Sequence, residues 1–181
     1  KFTSTFIIVS SDSVKFFNQN ITDWPPDANE SKAIYIQGGT PTIKNSYFEN
    51  NSLGIYLSYF YDDINNISTP TTALIENNNF VNNITPIFWG TIANPSFASN
   101  TATNNNYNAI IFESDISQDM TLKPDLPYLV RALTTVPENI ILTLDPGVVI
   151  NFKDNFAGLR IDGTLKAIGR SDLPITFRSY Y

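Results

Sequence analysis

The stretch IKNSYFENN (Ile43 to Asn51) returns as IENNNFVNN (Ile75 to Asn83). Both copies place Ile first, Asn third, Phe sixth and an Asn pair at positions eight and nine. A looser copy, FASNTATNN (Phe97 to Asn105), follows after a shorter step, with Ala102 in the Phe slot and Asn104-Asn105 in the paired slot. Short apolar runs accompany the copies: AIYI (Ala33 to Ile36), GIYL (Gly54 to Leu57), PIFW (Pro86 to Trp89) and AIIF (Ala109 to Phe112). The step from Ala33 to Gly54 nearly equals that from Pro86 to Ala109. The longer middle step, from Gly54 to Pro86, carries an insertion, SYFYDDINNISTP (Ser58 to Pro70).

A period of about 22 residues, made of short apolar runs between Gly, Pro and Asn turns, leaves no room for a helix pair per repeat. Aromatic and β-branched residues fill the runs, and helical spacing is absent. These features predict an all-β solenoid in which each repeat is one coil of a parallel β-helix, stacked about 4.8 Å above the last. Insertions must then leave at the turns, as Ser58 to Pro70 does and as TDWPPDANESK (Thr22 to Lys32) does. Equivalent residues stack, so Phe48, Phe80 and Ala102 should form one inward column and Ile43, Ile75 and Phe97 another. Asn at a repeated turn can donate and accept along the stack, and Asn45 and Asn77 are the expected ladder residues.

At 181 residues and 42% hydrophobic, the chain can bury a core. Its formal charge is −6, with 11 Lys and Arg against 17 acids. That balance argues against nucleic acid as a partner, because phosphate binding needs clustered cations. No apolar run approaches the length of a membrane span. Cysteine and histidine are both missing. Thiol chemistry is thereby excluded, and the commonest general base and transition-metal ligand are removed.

The repeats IKNSYFENNSLGIYL and IENNNFVNNITPIFW resemble the coils of right-handed parallel β-helix proteins, the pectate-lyase-like superfamily. The segment from Pro127 to Ser179 contains PG, VVINF, GTLKAIG and PITF. It is similar to the opening block of large bacterial and archaeal β-helix surface proteins. The expected organisation is therefore residues 1–126 as coils with loops at 22–32 and 58–70, and residues 127–181 as the opening block of a following module in the same solenoid. With coils first and block last, the sequence reads as the end of one module joined to the start of another. A tandem or head-to-tail array of copies or adjacent β-helix modules is the natural expectation, since bare β-helix ends expose strand edges.

The superfamily's lyase and hydrolase motifs are not matched residue by residue, so no catalytic residue carries over and no cofactor is expected. Calcium is the one metal considered, at Asp62 and Asp63 in the second insertion, with a solvated loop tip as the alternative. Trp24 in the first insertion, and Tyr59, Phe60 and Tyr61 in the second, are candidates to contact carbohydrate or a neighbouring subunit. Sequons stand at Asn20, Asn29, Asn50, Asn66 and Asn83, with a turn or ladder role competing at Asn50 and Asn83. Together these readings predict a non-enzymatic extracellular or cell-surface solenoid, structural or adhesive. A carbohydrate-binding or carbohydrate-active β-helix is the alternative.

Overall fold

The computed structural model describes residues 7–9, 15–17, 20–22, 32–90 and 92–180; of the first three segments, and of Phe60, Asp62 and Ile67, it describes the backbone only. Its strands are β1 to β23 along the chain. One sheet of eight parallel strands runs the length of the stack. Its members are β1 (Ile7–Val9), β4 (Lys32–Gln37), β7 (Leu53–Ser58), β12 (Thr85–Trp89), β15 (Ile110–Phe112), β17 (Tyr128–Val130), β20 (Val149–Phe152) and β23 (Thr176–Ser179). The apolar runs that accompany the repeats are these strands. The Pro127 to Ser179 block joins the same sheet without a break, through β15 to β17 and β17 to β20.

Two four-stranded parallel sheets form the other legs of the early coils. One contains β2 (Lys15–Phe17), β5 (Thr42–Lys44), β10 (Leu74–Glu76) and β13 (Ser96–Ala98). The other contains β3 (Asn20–Thr22), β6 (Tyr47–Glu49), β11 (Asn79–Val81) and β14 (Thr101–Thr103). In the later coils the legs are β18 (Leu133–Val136) with β21 (Gly158–Ile161), and β16 (Met120–Leu122) with β19 (Ile141–Leu144) and β22 (Thr164–Ala167). The result is a parallel β-solenoid of about six turns with a spacing near 23 residues. No helix occurs among the described residues.

Both expected columns are present in register. Ile43, Ile75 and Phe97 align on adjacent strands, as do Phe48, Phe80 and Ala102. Ala102 is half-buried and the rest are buried. The Phe48 and Phe80 rings stack at 4.8 Å and 12°. Higher up, Trp89 stacks on Phe112 at 4.2 Å. One coil fixes the next because each side chain lies directly over its equivalent.

The insertion from Ser58 to Pro70 leaves the coil as an antiparallel hairpin of β8 (Phe60–Asp62) and β9 (Ile67–Thr69), which among the described residues pair with each other alone. At its base, Thr71 is fully buried, donates to the Ser58 carbonyl and accepts from the Gly38 amide. The GTL motif has a steric reason. A Cβ on Gly163 would stand 2.1 Å from the Pro137 carbonyl oxygen and 2.4 Å from that of Ile140. Asp145-Pro146-Gly147 forms a turn, closed by the Val148 amide on the Asp145 carbonyl with Gly147 at φ 92°.

Candidate functional site

The polar grammar of the repeats resolves into two residue roles per turn. Asn45, Asn77 and Ser99 adopt left-handed φ of 51°, 52° and 57°, and Asn50, Asn82 and Asn104 adopt 57°, 54° and 56°. Asn tolerates that region better than most residues, so each serves as a one-residue corner between strands. All six are exposed. The ladders run through the residues that follow them. This corrects the expectation that Asn45 and Asn77 carry the ladder: their left-handed backbone turns those residues to solvent and the next residue inward.

In the first ladder, the Ser46 amide donates to Asn78 Oδ1 at 3.0 Å, and the Asn78 amide and Nδ2 both donate to Asn100 Oδ1 at 3.1 Å. The Asn100 amide and Nδ2 then donate to the two oxygens of Asp125, at 2.8 and 2.6 Å. In the second ladder, the Asn51 amide donates to Asn83 Oδ1, the Asn83 amide to Asn105 Oδ1, and the Asn105 amide to Asn108 Oδ1. Ladder Nδ2 groups also donate to the carbonyls of Ile43, Phe48, Ile75 and Phe80. Turn amides that would otherwise be orphaned inside the stack are thus satisfied. Asn83 is 2% exposed and occupied in this way, so of its two competing roles the ladder holds it.

The two ladders end differently. The second closes on the amide Asn108 and the first on the carboxylate Asp125. Burial pushes the Asp125 carboxyl above its ordinary range, outweighing the bonds from Asn100 and the Leu126 backbone that pull it down. Nearby, Asp115 Oδ1 accepts the Thr135 amide at 2.7 Å and Asp119 Oδ1 accepts the Ile141 amide at 2.8 Å. Residues 113–119 contain no strand, and these carboxylates stand in for backbone carbonyls. This is where the corner changes. Inward residues five apart (Ile43 and Phe48, Ile75 and Phe80) give way to buried Val136 and Leu142, six apart, and then to Ile161 and Leu165, four apart, which align with them.

The residues expected to make contacts are dispersed. Tyr59 and Tyr61 meet edge to face on the hairpin at 6.5 Å, and the Tyr61 hydroxyl donates to Asn66 Oδ1. Asp63 lies exposed at the tip beside Ile64, which is 93% exposed. The side chains of Phe60 and Asp62 lie outside the described residues, as do Trp24 and Asn29; Asn20 is described only as backbone of β3. Asn50 and Asn66 are exposed at turns, both with left-handed φ. Among the described residues, no three acidic side chains converge to hold a metal ion.

A second cluster was not anticipated from the sequence. From β4 onward the middle residues of the long-sheet strands form an outward row, and on β4, β7 and β12 they are aromatic: Tyr35, Tyr56 and Phe88, all half-buried. Their ring centroids follow one another at 5.1 and 5.1 Å. Lys32 Nζ lies 5.7 Å from the Tyr35 ring and 5.2 Å from that of Tyr56. Further along, the same outward row continues as Ile111 and Leu129, buried beneath Tyr107 and Tyr180, whose rings are 5.9 Å apart. Lys153 Nζ donates to the Tyr107 hydroxyl at 2.6 Å and sits 4.5 Å from its ring. That bond raises the Lys153 ammonium above its usual range. Arg178 closes the row, donating to Asn151 at 2.8 Å. The signal was the aromatic third residue of AIYI, GIYL and PIFW.

At the β21, β22 and β23 end, the inward positions are less covered: Phe177, aligned with buried Ile150, is 46% exposed. The outward middle residues of these strands are Arg160, Lys166 and Arg178, one cation per leg. Charges on an edge strand discourage indiscriminate pairing. Family models, curated proteins and solved structures yield no match to this chain.

Proposed function

We propose that the chain is a non-enzymatic structural and adhesive solenoid of an extracellular or cell-surface protein, of the right-handed β-helix surface type that its repeats resemble. One observation carries this reading: the repeated polar residues are consumed by the fold. Asn78, Asn83, Asn100 and Asn105 are buried in ladders, and Asp115, Asp119 and Asp125 accept backbone or ladder bonds. Polar groups committed to backbone satisfaction make a stiff stack, because removing a ladder Asn leaves a buried partner unpaired. Contacts then belong to the outer face and the hairpin. The partner suited to the β21 to β23 edge is an adjacent β-helix module whose strands continue the three parallel legs.

Labelling intact and permeabilised source cells with an antibody to the hairpin around Ile64 tests the location. Equal labelling of both is expected; labelling only after permeabilisation would refute the surface reading. Incubation with uronate polymers tests the enzymatic alternative. No unsaturated product is expected, and steady product formation would replace the structural reading with a lyase.

A further inference from the structure

We infer that Asn66, in the turn of the β8–β9 hairpin, carries an Asn-linked glycan. The inference rests on the extracellular reading above, because such sugars are found on surface loops of exported chains. Three sequons have both their Asn and their hydroxyl side chains described, and the fold separates them. At Asn83 the acceptor is consumed: Nδ2 donates to Asn105 Oδ1 and to the carbonyls of Phe48 and Val81, and the hydroxyl residue Thr85 is buried as well. At Asn50 the acceptor is exposed, but Ser52, which completes the motif, is buried directly after the ladder residue Asn51. At Asn66 both Asn66 and Ser68 are exposed.

A transferring enzyme must reach the amide nitrogen and the hydroxyl two residues on, in a segment it can hold apart from the body of the protein. Among the described residues β8 and β9 pair with each other alone, so this motif can be gripped without opening a coil. Tyr61 lies opposite Ser68 in the hairpin register and shares its face. The Tyr61 hydroxyl donates to Asn66 Oδ1, which engages the amide oxygen and not the nitrogen that reacts. In the transfer, Nδ2 bonds to the anomeric carbon of a lipid-phosphate-linked oligosaccharide. The bond from that carbon to the phosphate oxygen breaks, the phosphate leaves with the electron pair, and the amide gives up one proton. The Tyr61 ring, 43% exposed and edge to face with Tyr59, then offers the apolar face of the first sugar a surface to lie on.

The test takes the whole chain from its source. Chain labelled on intact cells with a membrane-impermeant amine reagent is captured, digested with chymotrypsin and analysed by mass spectrometry. Cleavage after aromatic residues puts the three motifs on separate peptides: Glu49 to Tyr56, Asp62 to Phe80 and Val81 to Phe88. The peptide from Asp62 to Phe80 should carry added mass in sugar-sized steps, assigned to Asn66 by fragmentation, and the other two should be bare. Ser68→Ala leaves Asn66 in place and should abolish the added mass, whereas Ser68→Thr should keep it. A bare Asp62 to Phe80 peptide from captured chain overturns the inference and leaves the surface reading standing. Added mass that survives Ser68→Ala, or that sits on either of the other peptides instead, overturns it too. Chain present in the lysate but never captured from intact cells overturns the surface reading, and the inference with it.

Discussion

Asn77 stands exposed with φ 52°, while its neighbour Asn78 is buried and bonded to Ile43, Ser46 and Asn100. The corner and the ladder therefore respond differently to substitution. Asn77→Gly places the residue most at ease with positive φ in the corner, and stability should change by no more than about 0.5 kcal/mol. Asn78→Ala leaves the Ser46 amide and the Ile43 carbonyl unpaired inside the stack and should cost about 2–4 kcal/mol. Urea denaturation of the two variants checks both figures. Asp125 sets a pH dependence. Its carboxyl is raised above its unfolded value by burial, so the native state holds the proton more tightly than the unfolded chain. Stability from this group is fully present below the unfolded carboxylate range and is lost as pH rises through the raised native value. Asp125→Asn, which reproduces the amide ending of the other ladder, should flatten the melting temperature between mildly acidic and neutral pH. A wild-type and variant pair with parallel pH profiles would contradict that assignment.

β6 and β11 illustrate what an element owes to its neighbours, because each is three residues long and has one inward side chain, Phe48 or Phe80. Phe80→Ala opens a cavity beneath the Phe48 ring and should cost about 3–5 kcal/mol by thermal or chemical denaturation. Among the described residues the β8–β9 hairpin pairs with nothing but itself. Removing residues 60–69 should change stability by less than about 1 kcal/mol, since loop closure depends weakly on length. The coils, columns and hairpin insertion were legible in the sequence because each repeats or interrupts a period. The ladder was placed one residue early, because Asn fills both the corner and the ladder slot at 77–78 and 82–83, and composition does not separate them. The outward row of Tyr35, Tyr56 and Phe88 was not legible, because an aromatic in a short apolar run does not say which face it takes; the alternation of the long sheet turns these outward. The acceptor roles of Asp115 and Asp119 were illegible, since each depends on an amide in the next coil.

For the whole molecule, register runs from β1 to β23 through one sheet, and the two ladders bind successive coils at the corners on either side of β6, β11 and β14. A stack built this way should behave as one cooperative unit across the ladder coils, with its turns as protected as its strands. Ordinary surface turns open locally at little cost, whereas turns whose amides are bonded to buried ladder oxygens open only when the coil does. Residue-resolved native-state hydrogen exchange tests this most directly. The amides of Ser46, Asn51, Asn78, Asn83 and Asn100 should exchange as slowly as those of the strand residues Ile43, Ile75 and Phe80. Exchange of those turn amides at the rates of an exposed loop, while the strands stay protected, would contradict the ladder and with it the reading of the repeated Asn residues.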